Sequence, residues 1–262
     1  MRRRRYLHGL ITVPTAGVAG CLSRDSIPDD GSDLTPEDDR DVKTVAAETF
    51  DDDFTPICAE GESLESDVEG FYAELVTDHE FFRDVESGRY GVRGRVSTWD
   101  SGNIPKVTAE FSDGSFDWDR GYGLDEGETY LFTVVSSEGD PDAIDGYTLT
   151  VEGGGVDDIG IASKEYVTID GEWGQIGTYD DAPVYGYAGT VTNDHTEDVR
   201  LFPRMKAYLD ETTVAYAGQS TETSVDLALG DTQTVYFPYP RCDPAKIDHV
   251  EGWLEWATMI YP

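Results

Sequence analysis

Tyr90-Gly91-Val92-Arg93-Gly94-Arg95-Val96 is the stretch that decides the fold. Drawn out as an extended chain, it places Tyr90, Val92 and Val96 on one face. Arg93 and Arg95 fall on the other, with Arg89 just before them. This two-residue period belongs to a half-buried strand. The same pattern returns at Lys106 to Phe111, Tyr130 to Val135 and Tyr147 to Val151. Turns are marked by Ser101-Gly102-Asn103, Asp113-Gly114, Glu126-Gly127 and Gly139-Asp140-Pro141. Beyond Gly153-Gly154-Gly155 the pattern resumes at Tyr166 to Ile169, Trp173 to Tyr179, Tyr185 to Asn193, Arg204 to Asp210, Thr234 to Phe237 and Val250 to Ile260. The chain therefore reads as mainly β, with two small β domains over 59–152 and 165–262 and a glycine-rich connection over 153–164. One segment departs from this. Val68, Phe71, Tyr72 and Leu75 recur at helical intervals behind a capping Asp67, which predicts an amphipathic helix within Ser66 to Val85.

The N-terminus carries a different kind of signal. A basic head, Arg2 to Arg5, precedes an apolar run to Ala19 that is too short to span a bilayer and is broken by Pro14 and Gly17. Val18-Ala19-Gly20-Cys21 closes it with small residues and a cysteine, as at a cleavage site ahead of a lipid-modified thiol. Residues 1–20 are expected to be a removable signal and Cys21 the lipidated first residue of the mature chain. Residues 21–58 are expected to be an acidic, disordered linker, with Val42 to Phe50 capable of a brief helix. This predicts a protein at the cell surface, anchored to the outer face of the cytoplasmic membrane through Cys21.

Charge adds to that expectation. The 262 residues hold 54 acids against 19 bases, a formal net charge of −35, which becomes −39 once Arg2 to Arg5 are removed. Such self-repulsion opposes folding in dilute buffer and is screened in molar salt, where the Debye length is about 3 Å. The acids are spread along the whole chain, which favours salt adaptation over a single acidic docking patch. Nucleic acid is excluded as a partner, because a phosphate backbone demands local Lys and Arg density. Of three cysteines, Cys21 is assigned to lipid. Cys58 and Cys242 remain either as a disulfide across the folded part or as two buried thiols.

Several resemblances follow from these residues. Arg3-Arg4-Arg5-Tyr6-Leu7 resembles a twin-arginine export pattern, and Val18 to Cys21 resembles a lipobox. The aspartate-rich, lysine-poor composition resembles that of extreme halophiles. The first β segment, from about Ser66 to Glu152, is similar to exported OB-like barrels: a helix, a Gly-rich first strand, and a hairpin at Leu124 before the fourth strand. An immunoglobulin-like sandwich is its rival. The segment Pro183 to Pro238 resembles the FxLYD-type domain. It has a Gly-Thr-Val-Thr-Asn strand (189–193), an apolar strand ending in Asp210, and the Leu229-Gly230 turn before the strand ending at Phe237. Lys206 stands where that family has Phe. The resemblance implies an immunoglobulin-like sandwich with no catalytic residues.

No reactive constellation is present in the sequence. The motifs Gly-x-Ser-x-Gly, His-Glu-x-x-His and Cys-x-x-Cys and a phosphate-binding Gly loop are missing, and His79, His195 and His249 are isolated. No metal, cofactor or catalytic group is assigned. Asp51-Asp52-Asp53, Asp157-Asp158 and Asp180-Asp181 lack the form of a calcium loop and read as solvated acids. Two features are candidates for ligand contact. The row Arg89, Arg93 and Arg95 suits an anion, or pairs across strands with Glu110 or similar acids. Phe116-Asp117-Trp118-Asp119-Arg120-Gly121-Tyr122 offers Trp118 and Tyr122 for sugar or peptide recognition, or covers the end of a barrel. The expectation is a non-enzymatic interaction or envelope module with an unidentified surface partner or ligand. The alternatives are a ligand-binding lipoprotein serving a transporter or surface enzyme and, third, a hydrolase.

Overall fold

The computed structural model describes residues 42–52, 54, 56–84, 87–98, 104–154, 159–161, 166–195 and 197–257. The expected signal, Cys21 and the linker up to residue 41 lie outside the described residues, as does Asp157-Asp158. In chain order the strands are β1 (Thr44–Thr49), β2 (Gly61–Glu62), β3 (Glu65–Glu69), β4 (Val76–Asp84), β5 (Arg89–Ser97), β6 (Ile104–Phe111), β7 (Phe116–Arg120), β8 (Thr129–Ser136) and β9 (Gly146–Gly154). They continue with β10 (Ile159–Ile161), β11 (Val167–Tyr179), β12 (Ala182–Asn193), β13 (Val199–Tyr208), β14 (Thr213–Gln219), β15 (Val225–Leu227), β16 (Thr232–Pro238) and β17 (His249–Ala257). The protein is mainly β, a set of open sheets packed as sandwiches.

A nine-stranded sheet is the spine, in the order β10-β17-β13-β14-β8-β5-β4-β2, with β15 also on β13. Two four-stranded sheets, β3-β9-β6-β7 and β1-β11-β12-β16, pack on it. Alternation decides which face each one covers. Tyr90, Val92 and Val96 of β5 and Tyr130, Phe132 and Val134 of β8 point to one side. There they bury against Val107, Ala109, Phe111, Leu149 and Val151 of the β3-β9-β6-β7 sheet. Met205 and Ala207 of β13 and Leu254 of β17 point to the other side, where they meet Val167, Val191, Val235 and Phe237. The two sandwiches therefore lie on opposite faces of one shared sheet. Fully burying each large side chain contributes about 1.5–3 kcal/mol.

The two halves join at β8 and β14, which run parallel but pair only at Thr213–Thr129 and Val214–Tyr130. Strands from both sides of Gly153-Gly154-Gly155 thus share one sheet, and Glu37–Pro262 forms one compact unit. The disulfide Cys58–Cys242 ties the start of the first half to the end of the second, with Cα atoms 5.6 Å apart. Of the two states the sequence left open for this pair, the bonded one is present.

Three sequence expectations are corrected. Among the described residues of Ser66 to Val85 the expected helix does not form. The segment is β3, a single 3-10 turn at Ala73–Leu75, and β4. Its helical spacing is accidental: Val68 and Leu75 pack on the first core from two separate elements, and parallel pairing of Glu65–Glu69 with Gly146–Thr150 overrides local propensity. No barrel closes, because each sheet ends in open edges. The expected bound of the linker at residue 58 is too late. Neither coil nor helix, Thr44–Thr49 forms β1, which adds to β11 in parallel as an edge strand. By contrast, Asp180-Asp181 is a two-residue hairpin turn with φ of 45° and 66°, the left-handed pair a tight β11–β12 connection demands.

Candidate functional site

The aromatic candidates separate. Sheet β3-β9-β6-β7 turns its odd-numbered β6 and β9 residues inward, so its even-numbered ones face solvent. Across this face run three rows: Asp67, Thr148, Glu110 and Phe116; then Glu69, Thr150, Thr108 and Trp118; then Glu152, Lys106 and Arg120. Phe116 is 67% exposed and Trp118 48% exposed. Lys106 Nζ lies 5.8 Å and Arg120 Cζ 5.4 Å from the Trp118 ring centroid. Beside this pair an open groove of about 660 Å³ is walled by Glu65, Asp67, Glu69, Glu110, Thr148 and Thr150. The outer edge of β7 is blocked by its own side chains: Asp117 and Asp119 carboxylates accept from the amides of Trp118 and Arg120.

Tyr122 is elsewhere. It lies half-buried under Arg204, whose guanidinium carbon is 4.5 Å from the ring centroid, in the seam where the β7–β8 loop crosses β13 and β17. That seam is rich in paired charge. Lys206 Nζ donates to Glu128 at 3.1 Å and Asp125 at 3.2 Å, and the Tyr208 hydroxyl donates to Glu128 at 2.8 Å. Arg204 Nε donates to Glu255 at 3.0 Å, with both side chains nearly buried. Burial, then the Glu128 carboxylate, drives the Tyr208 phenol far above its ordinary range. Gly123 has φ of +60° and lies under the Trp253 ring, where a Cβ would clash.

The arginine row divides as well. Arg89 donates from Nε to Ser87 Oγ at 3.1 Å, and Arg95 stands opposite Asp78 in the β4–β5 register. Arg93 Nε donates to Glu80 at 2.6 Å while its guanidinium sits over the Phe82 ring. Its carboxylate partner is therefore Glu80 on β4; Glu110 belongs to another sheet. On the same face, across β5–β8, stands Thr133. Where β14 leaves β8, the edge of β8 is left open. Arg241, brought from 110 residues away in sequence, donates to the Leu131 carbonyl on that edge. Asp119 accepts from the Thr133 amide at 2.7 Å and from the Tyr130 hydroxyl at 2.9 Å. Burial pushes the Asp119 carboxyl above the ordinary carboxylate range, against these donors and Arg241, which favour its charge. Burial likewise raises Tyr130, and raises Tyr239 to about 12.

No protein-family model and no curated protein matches the chain. Among solved structures, a β-glucuronidase 2 of Bacteroides uniformis overlaps 64% of this chain at 13% identity and a TM-score of 0.18, and the overlap spans 23% of that enzyme's length. The tandem CBM22 domains of Paenibacillus barcinonensis Xyn10C overlap 68% at 8% identity and a TM-score of 0.18, over 78% of their own length. Oxalate decarboxylase of Lactobacillus farciminis overlaps 78% at 9% identity and a TM-score of 0.19, over 85% of its length. Overlaps this slight bear on neither fold family nor activity.

Asp119 and Arg241 are the site residues that sequence reasoning missed. Each was legible only as one more charge in a loop or an edge strand. The signal that singles them out, the parting of β14 from β8, is a long-range event. Among the described residues no group of three or more His, Cys, Asp or Glu side chains is placed to hold a metal ion. Nor, among them, is any helix long and apolar enough to cross a membrane.

Proposed function

We propose that this chain is a lipid-anchored, cell-surface binding module of a salt-adapted organism, and that it acts by holding a glycan rather than by catalysis. The observation that carries the glycan reading is the exposed Phe116–Trp118 pair on the outer β7 face, beside a groove lined by threonine hydroxyls and carboxylates. An aromatic face packs against the apolar C–H face of a sugar ring, and the flanking Thr108, Thr150 and Glu110 match its hydroxyls. Glu65, Asp67, Glu69 and Glu110 repel anionic chains, so the expected ligand is a neutral one. The membrane anchor rests on Val18 to Cys21, and the salt adaptation on the net charge of −35.

Retention of the full chain on immobilised neutral polysaccharides (amylose, mannan) and on anionic alginate, in molar KCl, tests the glycan reading. Retention on a neutral matrix that is lost in Trp118→Ala supports it. No retention of the parent, or retention indifferent to Trp118→Ala, defeats it. Intact-mass measurement of the membrane-extracted protein tests the anchor: a mature chain beginning at a diacylated Cys21 is expected. A melting temperature that climbs from dilute buffer to molar KCl is the expected mark of salt adaptation.

A further inference from the structure

A second cavity, on the opposite side of the shared sheet from the glycan platform's sandwich, has a different chemistry. It encloses about 260 Å³ at the point where β14 parts from β8. Its cations are Arg93 from the first half and Arg241 and Lys246 from the second, gathered in a chain where acids outnumber bases 54 to 19. Its acidic neighbours are Asp243, which pairs with Lys246 at 2.6 Å, Glu80, which pairs with Arg93, and the buried Asp119. The two arginines are not saturated by these. Arg93 uses Nε alone toward Glu80, and its two terminal amino groups hydrogen-bond none of the described residues. Arg241 spends one amino group on the Leu131 carbonyl.

Two further observations point to a bound group. Thr133, on the same wall, has a buried hydroxyl with no hydrogen-bond partner among the described residues. The rest of the wall is apolar, formed by Phe82, Leu131, Leu209 and the Tyr239 ring. The loop that supplies Arg241 is also held rigidly. Cys242 is bonded to Cys58, Asp243 is left-handed at φ 64°, and the Pro244 carbonyl accepts from Trp173 Nε1 at 3.1 Å.

We propose that this cavity binds a small organic carboxylate. The guanidinium forks of Arg93 and Arg241 match a planar carboxylate, and Thr133 Oγ1 donates a further bond. Phe82, Leu131 and Leu209 reward an apolar body that chloride and sulfate do not have. The size, just below the span of about 300–1,000 Å³ typical of drug-sized sites, suits a single ring or a short chain. The site is independent of the glycan platform and stands or falls separately from it.

Benzoate is the probe, with benzamide as its uncharged isostere and sodium sulfate as the inorganic control. Calorimetric titration of the full chain at constant ionic strength should show saturable benzoate binding, with benzamide weaker by about tenfold or more. Arg93→Gln, which loses a partly exposed ion pair and a contact with the Phe82 ring, should weaken benzoate by about tenfold while changing the melting temperature little and leaving polysaccharide retention unchanged. Arg241→Gln should do the same if it folds; Arg93→Gln carries the test if it does not. Reduction of Cys58–Cys242 should weaken benzoate by loosening Arg241. Equal binding of benzamide, competition by sulfate as strong as benzoate's own binding, no saturation, or indifference to Arg93→Gln would each overturn the proposal.

Discussion

The two faces of the junction use the same chemistry to opposite ends. On the face under the β7–β8 loop, Lys206 and Arg204 are buried and each has a carboxylate partner. Glu128, Asp125, Glu251, Glu255 and two tyrosine or tryptophan donors close the network. On the opposite face, Arg93 and Arg241 line an apolar cavity with donors to spare and a threonine hydroxyl that has no partner among the described residues. A saturated buried network fixes how two bodies meet, whereas an unsaturated one facing a cavity leaves bonds for a ligand to make. In a chain this acidic the location of the few cations is informative, but only the count of their partners separates latch from site.

The largest effect expected from this contrast lies in the latch. Lys206→Met leaves Glu128 buried without its cation and should cost about 3–5 kcal/mol in urea unfolding, while adding Glu128→Gln should recover much of the loss. A Lys206→Met cost near zero would mean the seam is not the joint. Next comes the disulfide. Cys58→Ser paired with Cys242→Ser frees a separation of 184 residues, with an expected loss of about 2–4 kcal/mol and, unlike the latch variant, weaker benzoate binding.

Asp119 sharpens the comparison through pH. Asp119→Ala strands the Thr133 amide and the Tyr130 hydroxyl and should cost about 1–3 kcal/mol. Asp119→Asn keeps an acceptor, and its comparison with the parent carries a sign. The folded carboxyl has a raised pKa, so the parent's contribution from this group is full below the unfolded aspartate pKa. It is lost as pH rises through the folded value. Denaturation midpoints should therefore move in favour of Asp119→Asn as pH climbs from acid toward neutral; a flat difference would show an unshifted Asp119. The smallest effect is expected on the platform. Trp118→Ala should change stability by less than about 1 kcal/mol, since the ring is half in water. Its effect belongs to polysaccharide retention alone.

Much of the architecture was legible in advance because a strand's facing is a local property. The alternation at Tyr90 to Val96 correctly gave Tyr90, Val92 and Val96 to the core and the arginines to the other face. Most of the predicted strands appear within a few residues of their expected limits, although Tyr166 to Ile169 and Trp173 to Tyr179 fuse into the single strand β11. The segment Ser66 to Val85 misled because an apolar residue every three or four positions also arises when a short strand, here placing Val68 inward, is followed by a turn that places Tyr72 and Leu75 inward. Local spacing holds no record of such a turn.

The sequence by itself therefore determined the β character, the inward and outward faces, the acid coat and the availability of two cysteines for pairing. Tertiary structure alone decided that both halves share one sheet, that their sandwiches lie on opposite sides of it, and that Arg93 and Arg241 line one cavity. The reason is that strand order depends on pairing between residues far apart. The contact that sets this geometry, Thr213–Thr129 and Val214–Tyr130, is two register pairs long. So short a parallel pairing imposes no periodicity of its own on either strand, yet it fixes where the sheet parts and where a cavity opens.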